Sequence, residues 1–322
     1  MPTTLQPLSL WTPPASPLGI LTDIDDTLTT EGVVPDHVVD AIARLKQSGL
    51  RVVPITGRPV GWSEPFAQAW PVDAIVAENG AVALRRNAQG GLDKLYQQDE
   101  ATRTANYARM QQVLAEIEAT VPGALRATDS AGRECDIAVD HSEFAQMPQQ
   151  DIDRCVAIMK AAGMNATVSS IHINGWFGAH NKLEGARWIL RTLFDIDLDA
   201  TLDRWIYIGD STNDQLMFEH MPHSLGVANI ARFVPQLKHL PRHVTQAERG
   251  DGFAEMAQYL LSQRPDPQGR GPVLPLQAFA LEPPLLICGT RAPSADTITL
   301  STGNRPAQAG CAPSFPHSTE QI

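Results

Sequence analysis

Residues 18–29 read LGILTDIDDTLT, and this stretch decides the fold class. The apolar run from Leu18 to Leu21 feeds directly into Asp23, Asp25 and Asp26. An unbroken apolar run ending in carboxylates suits a strand buried on both faces that delivers polar groups to a site. Side chains alternate along a strand, but where the strand ends a turn can bring Asp23 and Asp25 into one pocket. Two neighbouring carboxylates repel unless a cation or proton lies between them, which favours a hard divalent ion with oxygen ligands. A carboxylate can also attack phosphorus, with a second serving as general acid and base. Alone, the DxD spacing equally suits an exposed acidic turn.

Downstream, residues 36–48 carry Val38, Val39, Ile42 and Leu45 at helical spacing, and Gly49 closes that helix. RVVPITGRP (51–59) is a second strand ending in Thr56-Gly57-Arg58, and 73–78 a third, followed by an Asn79-Gly80 turn. Strand–helix–strand alternation predicts a parallel sheet with crossover helices, whose ligands bind beyond the carboxyl ends of the strands. Residues 82–174 break the pattern. A hairpin around 87–91, a helix over 100–119, a strand at 133–140, a helix over 151–162 and a final strand in NATVSSIHING (165–175) predict an α+β insert. The parallel pattern resumes with a helix at 181–194, the strand of DRWIYIGDSTND (203–214), a helix from 214, a strand at 223–229 and a last helix over 252–261.

The flanks differ. Five prolines within residues 1–17 predict a flexible lead-in. Ten of the 25 prolines fall in 263–322, which shows no sustained period and is expected to be a disordered tail. The net charge of -11 argues against nucleic acid and anionic membrane as partners, but not against a phosphorylated substrate, because local cations can reverse the field in one cleft. Cys135, Cys155, Cys288 and Cys311 have no CxxC spacing and read as reduced thiols. With no basic, apolar leader at the start and no apolar run near about 20 residues, a cytoplasmic location is expected.

Three further clusters share the position of the first at element ends. In Thr56-Gly57-Arg58-Pro59, a hydroxyl and a free glycine N–H can hold phosphoryl oxygens. Lys182 opens a helix, where its charge opposes the macrodipole unless it faces anions. Gly209-Asp210-Ser211-Thr212-Asn213-Asp214 follows an apolar strand and offers more oxygen ligands, though Asp210 or Ser211 could equally cap the next helix.

Together, in this order, the four clusters resemble the motifs of the haloacid dehalogenase-like superfamily, over about residues 18–262. The insert lies between the second and third motifs, as in the branch called subfamily IIB or Cof-like, and Ala77-Glu78-Asn79-Gly80-Ala81 resembles that branch's linker into its cap. That branch holds sugar-phosphate phosphatases and phosphomannomutases. The resemblance implies a Rossmann-like α/β core with helices on both faces (18–81 and 175–262) and an α+β cap domain (82–174). It implies a Mg²⁺-dependent phosphatase acting on a small phosphate ester, such as a sugar phosphate. The alternative is a phosphomutase or phosphotransferase. By that resemblance Asp23 is the nucleophile and Asp25 the acid and base. Mg²⁺ is held by Asp23, the main-chain carbonyl of Asp25, and Asp210, with Asp214 as ligand or behind it. Thr56, Gly57 and Lys182 hold the phosphoryl oxygens, with Arg58 and Asn213 on the substrate side. Strand alternation puts His172 and Asn174 on one face, where they and Trp176 are candidates for choosing the substrate. One departure is Asp26, where many relatives have glycine.

Overall fold

The structure is a computed structural model and describes residues 5–264. The first half of the core runs β1 (Gln6–Pro7), β2 (Gly19–Thr22), α1 (Asp36–Gln47), β3 (Arg51–Pro54), α2 (Val60–Ala69), β4 (Ile75–Ala77), β5 (Val82–Arg86) and β6 (Leu92–Tyr96). The insert follows as α3 (Glu100–Thr120), β7 (Leu125–Arg126), β8 (Ile137–Asp140), α4 (Gln149–Ala161), β9 (Asn165–Val168) and β10 (His172–Trp176). The chain returns through α5 (Lys182–Phe194), β11 (Trp205–Gly209), α6 (Gln215–His220), β12 (His223–Gly226), β13 (His243–Val244) and α7 (Arg249–Ser262).

Six strands form a parallel sheet in the order β1-β13-β12-β11-β2-β3. Alternate residues of its central strands feed two separate hydrophobic clusters. Ile20, Val52 and Ile206 pack with Val38, Ile42 and Leu45 of α1 and with Phe253 and Met256 of α7. Leu21, Val53 and Tyr207 pack with Ile189 and Leu190 of α5 and with Met217 and Phe218 of α6. Burial on both faces is why β2 and β11 read as continuous apolar runs. The carboxyl ends of β2 and β11, paired side by side, place Asp23 and Asp210 next to each other.

The insert forms a four-stranded antiparallel sheet, β7-β8-β10-β9, whose apolar face is covered by α3 and α4 through Met110, Leu114, Cys155 and Met159. Its other face carries Asp136, His172 and Asn174, all buried. The stretch expected to be one last strand is two. Ser169–Ile171 turns the chain between β9 and β10, so His172 opens β10. The predicted hairpin is β5–β6, but Val82 and Leu84 lie in the cluster under the parallel sheet, and β4 touches that sheet through an Ile55–Val76 bridge.

The described part of the lead-in is docked rather than flexible. β1 pairs with β13, Leu8 and Trp11 are buried, and Tyr259 donates a hydrogen bond to the Trp11 carbonyl. Prolines fix φ but do not prevent an edge strand, and one buried tryptophan outweighs the turn signal. The tail expected over 263–322 lies, from residue 265 onward, outside the described residues.

The linker turn is sterically demanding. Glu78, Asn79 and Gly80 all have positive φ (49°, 54° and 109°). A Cβ on Gly80 would collide with the Asn181 carbonyl, at the mouth of α5. Gly80→Ala should therefore destabilise the protein by about 2–3 kcal/mol, read from the urea midpoint, since backbone on both sides leaves nothing to give way.

Candidate active site

At the end of β2, the Asp23 amide bonds the Ile208 carbonyl of β11, which aims the Asp23 side chain above the sheet. There it meets Lys182. The ammonium sits 2.5 Å from Asp23 Oδ1 and 2.6 Å from Asp214 Oδ1, and all three side chains are buried. Asn181 caps α5 by accepting from the Leu183 and Glu184 amides, which fixes Lys182 at the first helical position. The unfavourable dipole is more than offset by two carboxylates at contact distance.

The loop after β11 has its own lock. Asp214 Oδ2 accepts from the Asp210 and Ser211 amides, while Oδ1 accepts from the Tyr207 hydroxyl at 2.5 Å and from Lys182. Asp214 thus both caps its helix and anchors Lys182. Asp210 is fully buried, and its Oδ1 has no hydrogen-bond partner among the described residues. Oxygens of Asp23, Asp210 and Asp214 lie within 4.8 Å of one another. Burial, reinforced by Asp214 and Asp25 against the pull of Lys182, pushes the Asp23 carboxyl up to about 7. Burial and the neighbouring Asp23 and Asp214 push Asp210 well above the carboxylate range. Burial works against the charge on Lys182, yet Asp214 and Asp23 outweigh it and raise its pKa. Lys182 and the more distant Arg232 do not balance three buried carboxylates, and an orphaned buried oxygen among them asks for a cation. The donor set is all oxygen, the chemistry of Mg²⁺ or a similar hard ion, so these residues fit one.

Above this cluster a narrow cavity brings together Asp23, Asp25, Gly57, Arg58, His172 and Asn213, with Asn174 also on its wall. A broader cleft of about 680 Å³ runs beside β9 to Lys182 and Asn213. Thr56 is fully buried and its hydroxyl accepts from the Arg58 amide, which shapes the turn that carries Gly57.

Five predicted residues have partners that the sequence did not reveal. The Asp25 side chain is not in the carboxylate cluster. Its Oδ1 accepts from Arg58 Nε at 2.9 Å, outside the group formed by Asp23, Asp210 and Asp214. Arg58 also bonds Asp129 (3.3 Å) and Glu143 (2.8 Å) of the insert, and Asp25 and Glu143 raise its pKa even against its burial. Asn174 donates to Asp136 and to the Gly57 carbonyl, so its amide ties the insert to the second motif. His172 Nε2 lies 2.8 Å from Glu143 Oε2, an ion-pair distance without hydrogen-bond alignment, and its Nδ1 faces Arg133 at 3.5 Å. Burial, though opposed to it, is overcome by His172 and Arg58, which hold the Glu143 carboxyl down at about 2. Trp176 stacks on His180 and donates to its carbonyl, away from the cavity over Asp23. Glu78, fully buried in the linker, accepts from the Val60 amide and from the Glu134, Cys135 and Asp136 amides of the insert.

A family model described as haloacid dehalogenase-like hydrolase matches residues 20–121, the span that carries the first two clusters and the linker. Over that span the sequence is similar to haloacid dehalogenase-like hydrolases. Solved structures of this fold superpose on it almost end to end. A sucrose-phosphatase from Synechocystis, solved with sucrose and phosphate, is 16% identical with a TM-score of 0.55, covering 76% of this chain and 98% of that one. A HAD/COF-like hydrolase from Plasmodium vivax is 16% identical with a TM-score of 0.56, covering 77% and 97%. BT4131, a subclass IIB sugar phosphatase, is 13% identical with a TM-score of 0.53, covering 75% and 98%. At these identities the likeness is one of fold. No curated protein matches the chain in sequence. Among the described residues, no helix is long and apolar enough to cross a membrane.

Proposed function

We propose that this protein is a Mg²⁺-dependent phosphatase that cleaves a small phosphate ester, a sugar phosphate by preference, through a phosphorylated Asp23. The observation that carries this reading is Lys182 clamped between Asp23 and Asp214 beside the unpartnered Asp210 Oδ1. Phosphoryl transfer needs positioning and charge neutralisation more than elaborate covalent chemistry. Mg²⁺, held by Asp23, Asp210 and the Asp25 carbonyl, would screen the repulsion between a carboxylate and an anionic phosphate. Asp214 has every oxygen engaged by the chain's own donors, so it supports the ligands rather than joining them.

An Asp23 oxygen attacks phosphorus as the ester P–O bond breaks, and Asp25 gives its proton to the departing alkoxide. Asp25 then takes a proton from water, which attacks phosphorus and releases inorganic phosphate and Asp23. Lys182, Thr56 and the Gly57 amide would hold the phosphoryl oxygens. Sugar phosphates are favoured because the cavity wall offers hydrogen-bonding side chains (Ser170, His172, Asn213) suited to hydroxyl groups.

Purified protein should release inorganic phosphate from one or more members of a sugar-phosphate panel with Mg²⁺, and stop when EDTA is added. Release without any acceptor sugar supports hydrolysis. Transfer only to an added sugar would make the protein a phosphomutase, and no turnover with any ester would overturn the reading. A mutant pair then separates chemistry from selection. Asp210→Ala should damage hydrolysis of every ester. His172→Ala should lower kcat/KM a few-fold to about tenfold on the best sugar phosphate and spare p-nitrophenyl phosphate, because a hydrogen bond to a neutral hydroxyl contributes about 0.5–1.5 kcal/mol. Equal losses on both substrates would assign His172 to the fold or to the chemistry.

A further inference from the structure

Asp26, the departure from glycine in the first motif, sits at φ +54°. Glycine adopts that conformation freely and aspartate at modest cost, so what sets Asp26 apart is what its carboxylate holds. The Asp26 carboxylate holds two arginines. Arg232 lies 2.6 Å from Oδ2, and Arg249 Nε lies 3.3 Å from Oδ1. The same Arg232 nitrogen reaches Asp210 Oδ2 at 3.4 Å. Asn229 Nδ2 donates to that oxygen at 3.3 Å and to the Asp26 carbonyl at 3.0 Å, while its own Oδ1 accepts from the Arg249 amide at 2.8 Å. So the two oxygens of Asp210 are treated differently. Oδ2 has two donors, both from the segment Ala228–Gln236, and Oδ1 has none although the residue is fully buried.

We propose that Asn229 and Arg232, braced by Asp26, are positioning residues that grip Asp210 by Oδ2 and so present Oδ1 as the metal-facing oxygen. This rests on the reading that the site takes a divalent cation. A carboxylate free to rotate about its last bond offers either oxygen, and fixing one orients the other, as partners behind metal ligands do. Each contact to Oδ2 is long, so two donors from different angles are needed where one would not hold it. Asp26 has two effects. It anchors Arg232, whose side chain is 44% exposed and would otherwise follow solvent. It also cancels the positive charge that would repel the cation. Glycine at 26 would relieve the backbone and remove both.

The test is the Asp26→Gly/Arg232→Ala double variant, which removes one negative and one positive charge together. The measurement is Mg²⁺ binding by calorimetry on the whole protein without substrate. The dissociation constant should rise about tenfold or more, with the metal-free melting temperature near that of the wild type. A purely electrostatic role would leave it unchanged, because the net charge is the same. Arg232→Lys keeps the charge but loses the fork, and should fall between wild type and double variant. Wild-type affinity in both variants overturns the positioning role alone. Absence of Mg²⁺ binding by the wild type overturns it together with the metal reading beneath it.

Discussion

Asp23→Asn should lower turnover at least about a thousandfold while leaving the protein folded. The substitution keeps the shape of the side chain and an oxygen that can accept from Lys182 Nζ, now 2.5 Å from Asp23 Oδ1. What it removes is the negative oxygen proposed to attack phosphorus, and its neighbours are committed elsewhere: Asp25 to Arg58, and Asp214 to four donors. The fold should not suffer. Asp23 is buried among Asp214 and Asp25, an environment that pushes its carboxyl up to about 7, so a neutral residue relieves repulsion there. The checks are kcat on the best substrate and the thermal midpoint, from one preparation. Near-wild-type turnover with an intact midpoint would remove Asp23 from the chemistry.

What the sequence disclosed and what it hid divide along a physical line. Asp23, Thr56 and Asp210 follow apolar strands, and a strand buried on both faces has one place for a carboxylate, its end. Three of the four clusters were legible because each marks such an end, which the parallel sheet then brings together, and the fourth because Lys182 opens a helix against its dipole. Side-chain pairing across the insert leaves no comparable trace. Glu143 and Arg133 sit in irregular segments, and nothing in their spacing announces that one meets Arg58 and the other Asp136. Asp26 was visible as a departure from glycine, but its partners Arg232 and Arg249 lie more than 200 residues away in sequence, joined to it only by the fold. Residues 5–17 are docked despite their prolines because Trp11 is buried, and that burial depends on α7 at the far end of the described chain.

Lys182→Met should destabilise the metal-free protein by about 3–5 kcal/mol at neutral pH, the cost of leaving buried carboxylates without their cation. Methionine replaces most of the volume, so a cavity is not the cause of the loss. Asp23 and Asp214 both contact the ammonium, and neither has another cationic side chain within ion-pair distance among the described residues. The sign with pH follows from burial. With Lys182 present, the Asp23 carboxyl already stands at about 7, and without the ammonium burial lifts it further. A carboxyl raised in the folded state favours folding when protonated, so the deficit should be small below about pH 4. It should grow as pH rises toward and past 7. Mg²⁺ should then raise the urea midpoint of the variant more than that of the wild type, since the ion meets the same carboxylates with less competing charge. Activity should still fall at least about a hundredfold, because the metal cannot supply the donor that Lys182 is proposed to offer the phosphoryl oxygens. A variant with an unchanged midpoint at pH 7.5, or with equal Mg²⁺ stabilisation, would show that Lys182 does not carry the charge balance of the site.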